Sequence, residues 1–144
     1  MSSRPMWSKR QSLYPGGVGT KIKTFSGELT GTTILQVVPA VTGKKIRVRA
    51  FSFNSMVSVE AAAANAFSIA FVDSTYATKV LFEVVSYAKT AAIATAPIQT
   101  GLVYLPVDGV ASETTAGNAL KLAQSIDIAT GVIGVSGVVY YDEV

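Results

Sequence analysis

The chain has 144 residues and a mass of 15.0 kDa, the size of one domain that can bury a core without metal or disulfide staples. It contains no histidine and no cysteine, which excludes a Ser-His-Asp triad, an imidazole acid or base, thiolate chemistry, and zinc sites built from either residue. Its charge is divided: nine basic residues against Glu28 alone make residues 1–49 net +8, whereas three bases and eight acids make the remaining 95 residues net −5.

Hydrophobic residues make up 49% of the chain and charged residues only 15%. The usual charged share is about 25%, so part of the surface is expected to be covered by partner subunits. No window approaches the roughly 18 consecutive apolar residues of a membrane span, and the first ten residues hold no apolar run of signal-peptide length. The most apolar stretch, Ala88 to Ala96, is interrupted by Lys89 and Thr90.

Residues 1–20 read as an arm. Pro5, Pro15, Gly16, Gly17 and Gly19 punctuate them, and Met6, Trp7, Leu13 and Tyr14 are interleaved with Arg4, Lys9 and Arg10 without periodicity. Ordering such a segment costs about 1–2 kcal/mol per residue in backbone entropy. A large apolar side chain returns only about 1.5–3 kcal/mol on burial, so the arm is expected to gain order against another surface. We take residues 1–24 as an extended N-terminal arm and 25–144 as the folded domain.

From Thr32 the pattern has the period of β structure. Thr33, Leu35 and Val37 alternate with Ile34, Gln36 and Val38 up to Pro39, and the turn Val41-Thr42-Gly43 leads into a strand over Lys44–Asn54. Strict alternation there places Ile46, Val48 and Ala50 on a core face and Lys45, Arg47, Arg49, Phe51 and Phe53 on a basic and aromatic one. Residues 57–66, with four consecutive alanines, fit a short helical turn, a loop or an edge strand. Further strands are expected over 67–72, 80–85, 102–107, 119–123 and 132–142. In the last, Ile133, Val135, Val139 and Tyr141 share a face, and its glycines permit close backbone approach or a bulge. Gly117 and Asn118 supply the turn before Leu120 and Leu122. About eight short strands without a helix-period segment predict an all-β, jelly-roll-like β-sandwich.

Catalytic patterns are sparse. The carboxylates Glu60, Asp73, Glu83, Asp108, Glu113, Asp127, Asp142 and Glu143 mostly stand singly at strand ends or turns, where a charge is solvated rather than paired across a cleft. Gly16-Gly17-Val18-Gly19-Thr20-Lys21 lacks the Gly-Lys-Ser/Thr ending and the following helix of a phosphate loop, and it reads as a hinge. Asp73-Ser-Thr and Asp108-Gly lack the dense acidic alternation of a calcium loop. No enzyme activity, cofactor or metal is expected. Arg47, Arg49, Phe51 and Phe53 on one face would suit base stacking. With a net charge of only +3 and no dense basic run, nucleic acid is the alternative partner rather than the expected one. The arm suits an acidic protein surface better, since that also employs its Trp, Met, Leu and Tyr.

The stretches Gly43-Lys-Lys-Ile-Arg-Val-Arg-Ala-Phe-Ser-Phe, Gly101-Leu-Val-Tyr-Leu-Pro-Val-Asp-Gly, Ser112-Glu-Thr-Thr-Ala-Gly-Asn-Ala-Leu-Lys-Leu and Thr130 to the closing Val-Val-Tyr-Tyr-Asp-Glu-Val resemble small tailed-bacteriophage virion proteins of the capsid decoration or cement type. The resemblance covers residues 43–144, and the Trp7-bearing basic arm has no counterpart in it. It implies a jelly roll, a homotrimer, and a place on the capsid surface. The implied partner is the major capsid protein, and from the arm's own basic and aromatic composition Arg4, Met6, Trp7, Lys9, Arg10, Leu13 and Tyr14 are the residues expected to grip it. Arg47, Arg49, Phe51, Phe53 and Tyr140 are further interface residues on this reading. A tail- or fibre-associated receptor or glycan-binding module is the other alternative, and it would display Tyr76, Tyr87 or Tyr104 along a shallow groove.

Overall fold

A computed structural model describes residues 20–59, 66–87, 97–105, 112–128 and 131–144. Nine strands run along them: β1 (Lys21–Leu29), β2 (Leu35–Val38), β3 (Ile46–Val59), β4 (Phe67–Asp73), β5 (Val80–Tyr87), β6 (Pro97–Gln99), β7 (Val103–Tyr104), β8 (Leu120–Gln124) and β9 (Val132–Glu143). They form two antiparallel sheets. A long-stranded sheet has the order β1-β9-β3-β6, with β7 also paired to β3, and a shorter-stranded sheet has the order β2-β8-β4-β5. With β6 and β7 as two pieces of one edge, the pairs β1·β9, β2·β8, β3·β6/β7 and β4·β5 make a single antiparallel double ribbon. The ribbon is rolled so that β9 also meets β3 and β8 also meets β4. This is the jelly roll expected from the strand pattern.

The core lies between the sheets. Phe25, Phe51, Phe71 and Phe82 form a chain of ring contacts with centroids 5.0–6.0 Å apart, and Phe67 stacks on Tyr87 at 5.0 Å. Such pairs each add about 0.5–1.5 kcal/mol beyond area burial. Tyr87 is inside, where its hydroxyl meets the Ser55 hydroxyl at 3.1 Å and links β5 to β3 across the sandwich. Ile133, Val135, Val139 and Tyr141 of β9 all face inward, as their spacing predicts. Gly137 lies in the same inward series because nothing larger fits. A Cβ there would stand 2.1 Å from the Ser52 carbonyl oxygen and 2.8 Å from Cζ of Phe25.

Two expectations change. The boundary drawn at residue 24 falls inside β1, whose inward positions are Phe25, Gly27 and Leu29. The basic and aromatic face of β3 does not exist. Opposite β9 the register passes from Val48↔Tyr141 to Ala50↔Tyr140, so Arg49 is an extra residue in a β-bulge. One inserted residue reverses the phase of a period-two strand. Arg47 therefore faces outward, whereas Phe51 (4% exposed) and Phe53 (0%) enter the core. Val57–Val59 continue β3, and residues 60–65 are outside the described residues.

Turn chemistry follows the sequence more closely. The Lys44 amide donates to the Val41 carbonyl at 3.0 Å, with Gly43 at φ 73°. Asn118 N–H donates to Thr115 O at 3.0 Å around Gly117, whose φ is 84°. Asn118 does more than turn the chain. Its side-chain amide donates to Asp73 Oδ1 at 2.8 Å, while the Thr115 amide donates to Oδ2 at 2.6 Å. Asp73, at the end of β4, thereby clamps the segment leading into β8. Burial pushes its carboxyl upward, but the hydrogen bonds from Thr115 and Asn118 and the Lys79 charge outweigh that and hold it below its ordinary value of 3.8.

Candidate functional site

The outer faces of the two sheets are built differently. On the short-stranded sheet, Ala70 and Val72 of β4 and Ala123 of β8 are buried under the Tyr76 ring, which folds back from the β4–β5 turn. The Tyr76 hydroxyl donates to Glu83 at 3.0 Å; its burial and that carboxylate both raise its pKa above the usual tyrosine value. On the long-stranded sheet the outward-facing Ala50 is also 0% exposed, between Tyr140 and Tyr104 on the neighbouring strands, but the face leaves larger apolar side chains in solvent.

That open face carries an apolar row. Backbone pairing sets Ile22 of β1 beside Tyr140 of β9, Tyr140 beside Ala50 of β3, and Ala50 beside Tyr104 of β7. Ile22 is 49% and Tyr104 65% exposed, and Leu102 and Val103 are exposed next to Tyr104. Two turns of pleat further along, the residues shrink. Ser26, Glu28, Asn54, Met56, Gln99 and Ser136 line a shallow groove of about 540 Å³ across four strands. Gly134 deepens it, because it places no side chain between Glu28 and Met56. The groove offers hydroxyls, two amides and one carboxylate, with the exposed Met56 as its apolar wall.

Beside the apolar row lies the corner where β1 begins. The Thr20 hydroxyl donates to Asp142 Oδ1 at 3.0 Å, and Arg49 Nε donates to Asp142 Oδ2 at 2.6 Å, so one carboxylate ties together the starts of β1 and β3 and the end of β9. Lys21 pairs with Glu143 at 3.5 Å. Arg47 Nε donates to Glu113 Oε2 at 2.7 Å, and its Nη2 reaches the same oxygen. Lys23, Lys44 and Lys45 are exposed at this end. The two arginines expected to offer their charge to a partner thus spend much of it on Asp142 and Glu113.

Of the expected interface residues, Tyr140 lies half-buried on the open face, Arg47 and Arg49 lie at its corner, and Phe51 and Phe53 are in the core. Phe51 and Phe53 are therefore removed from any base-stacking surface. Arg4, Met6, Trp7, Lys9, Arg10, Leu13 and Tyr14 lie outside the described residues. The tyrosines considered for a sugar platform are separated: Tyr76 covers the short-stranded sheet, Tyr87 is inside, and Tyr104 is on the long-stranded sheet. Sequence reading missed Ile22, Asn54, Met56 and Gln99. The signal for Ile22 was the alternation of Ile22, Thr24, Ser26 and Glu28 with Phe25 and Leu29. Gly27 broke it at a position where a Cβ would stand 2.8 Å from Cδ1 of Leu35.

No protein-family model matches the chain, and no curated protein does. Among solved structures, a chain of the cyanophage Pam1 capsid asymmetric unit is similar at 20% sequence identity and a TM-score of 0.41, over 88% of each chain.

Proposed function

We propose that this chain is a structural protein of a tailed-bacteriophage virion, of the decoration or cement type, which binds the major capsid protein without catalysis. In this reading the open face of the long-stranded sheet and the N-terminal arm both contribute to binding, and copies associate as a trimer. The observation that carries the reading is the cross-strand row Ile22–Tyr140–Ala50–Tyr104, apolar and exposed at both ends. Scattered exposed apolar residues are ordinary; here two exposed ones, Ile22 and Tyr104, are joined across the sheet by the half-buried Tyr140 and the buried Ala50, which supports reading the row as a contact surface. The exposed Lys23, Lys44 and Lys45 at the same end, with the basic residues of the arm, suit an acidic partner surface. The segments that carry the resemblance to decoration proteins include β3, the turn and strand of β8, and β9, which are the frame of both sheets.

Clamping is a mechanical function. A single weak contact on the shell gains avidity when three copies are held together, because the second and third contacts become intramolecular. Such clamps oppose separation of neighbouring capsomers.

The test is co-sedimentation of the purified chain with empty heads of the phage that encodes it. The double variant Ile22→Ser, Tyr104→Ser should remain folded by circular dichroism and lose saturation of the heads. Binding of the parent chain should weaken with salt, since exposed charge pairs are screened over about 8–10 Å at 0.1–0.15 M. A double variant that saturates heads with unchanged affinity overturns the reading.

A further inference from the structure

The outer polar side chains of the two sheets are committed differently. On the short-stranded sheet they satisfy one another: the hydroxyls of Ser68 and Ser86 meet at 3.1 Å, the Ser68 amide donates to the Ser125 hydroxyl at 2.9 Å, and Tyr76 donates to Glu83. In the groove of the long-stranded sheet the reverse holds. Backbone pairing sets Ser26 beside Ser136, Ser136 beside Asn54, and Asn54 beside Gln99, a polar row across four strands. Neither these four side chains nor Glu28 in the next row has a hydrogen bond or ion pair among the described residues.

Gly134 opens the groove, although neither packing nor backbone conformation demands a glycine there. At Gly137 a Cβ would collide with the neighbouring strand. At Gly134 it would meet only the Met56 carbonyl oxygen, at 3.7 Å, an ordinary contact, and its φ is not positive. Glycine in a strand interior weakens the strand, and it often stands where a ligand or another backbone comes close. Here it leaves a hollow between Glu28 and Met56 that a side chain would fill.

We infer that this groove binds an uncharged saccharide. Hydroxyls and side-chain amides both donate and accept, as sugar hydroxyls do, and Glu28 adds an acceptor for two neighbouring ones. The polar row spans three strand spacings, about 14 Å at 4.7–4.9 Å each, room for a short oligosaccharide laid across the strands. The hollow at Gly134 receives a sugar ring, and the exposed Met56 packs along its C–H face. A phosphate or sulfate is disfavoured, because no lining residue is basic and Glu28 repels it. An extended peptide is recognised through the backbone groups of a strand edge and through side-chain pockets, whereas the groove lies over β9 and β3, whose backbones are paired within the sheet. The groove is at the far end of the face from Ile22 and Tyr104 and shares no residue with that apolar row.

Titration of the isotope-labelled full-length chain tests this, with uncharged trisaccharides of glucose, N-acetylglucosamine, mannose, galactose and rhamnose as probes. The readout is the side-chain amide signals of Asn54 and Gln99 in NMR spectra, and at least one probe should shift both in a saturable way. Gly134→Val fills the hollow with a residue that favours strands. It should keep or raise the melting temperature and weaken that probe by about tenfold or more, since a filled pocket excludes its ligand. Asn54→Ala and Gln99→Ala, which leave Gly134 in place, should each weaken it about three- to tenfold through lost hydrogen bonds. No shift with any of the five probes, shifts confined to residues outside the groove, or unchanged binding by these variants would overturn the assignment. Tighter binding of inorganic phosphate than of every trisaccharide would overturn the ligand class. Heads take no part in the measurement and Ile22 and Tyr104 are unaltered, so its failure and that of the shell-binding reading are separable.

Discussion

The two outer faces of this sandwich share an ancestry in one rolled ribbon and have opposite finishes. The short-stranded sheet buries Ala70, Val72 and Ala123 beneath Tyr76 and ends in edges broken by bulges. The long-stranded sheet leaves Ile22 and Tyr104 in solvent and keeps one straight edge. Small residues under a single aromatic cover are a stability device, since each covered side chain returns burial energy to the fold. Large residues left open return nothing until something meets them. The contrast separates the part of the molecule that holds itself together from the part available to a partner.

Substitutions can break or sharpen that contrast. The largest effect is expected at Gly137, where Ala drives a methyl into the Ser52 carbonyl and the Phe25 ring and separates β9 from β3. A loss of about 3 kcal/mol in chemical denaturation is expected. Next is Asp73→Ala, which leaves the Thr115 amide and the Asn118 side chain without their acceptor. It should cost about 2–3 kcal/mol by the same measurement. Asp73 also predicts a pH dependence. Its folded-state carboxyl lies below its ordinary value of 3.8, so its contribution is complete above that pH and is lost as the pH falls through the lower, folded value. Asp73→Asn should lack this acid-side loss, and its stability gap to the parent chain should narrow below pH 3.8.

A matched pair of outer-face changes then gives the sharpest comparison. Tyr76→Ser uncovers Ala70, Val72 and Ala123 and should cost about 1–2 kcal/mol. Tyr104→Ser, the same change on the long-stranded sheet, should fall within about 0.5 kcal/mol of the parent, the range of ordinary surface substitutions. Equal losses at the two tyrosines would show that the open face is also part of the stability of the isolated chain.

Much of this fold is legible in the residues themselves. The alternation in β9, the Val41-Thr42-Gly43 turn, the Gly117-Asn118 turn and the strands around Phe67, Val80 and Leu120 are local patterns. Local φ/ψ preference and period-two burial suffice to place them. β1 was hidden because Gly27 occupies an inward position, where Leu35 from β2 fills the space a side chain would need. The candidate site was less legible still. Its row is assembled from four strands whose members Ile22, Ala50, Tyr104 and Tyr140 are as much as 118 positions apart.

By itself, then, the sequence determined that this is a cysteine-free, histidine-free β-sandwich with a basic, proline- and glycine-punctuated N-terminus. Those properties depend on composition and on neighbours in the chain. Tertiary structure alone decided which face of β3 is core, because the bulge at Arg49 reverses the strand's phase and sends Phe51 and Phe53 inward. It also decided that Arg47 and Arg49 meet Glu113 and Asp142, and which sheet keeps an open face. Register and ion pairing between distant strands are set by the packing of the whole sandwich, and no local window of residues contains that information.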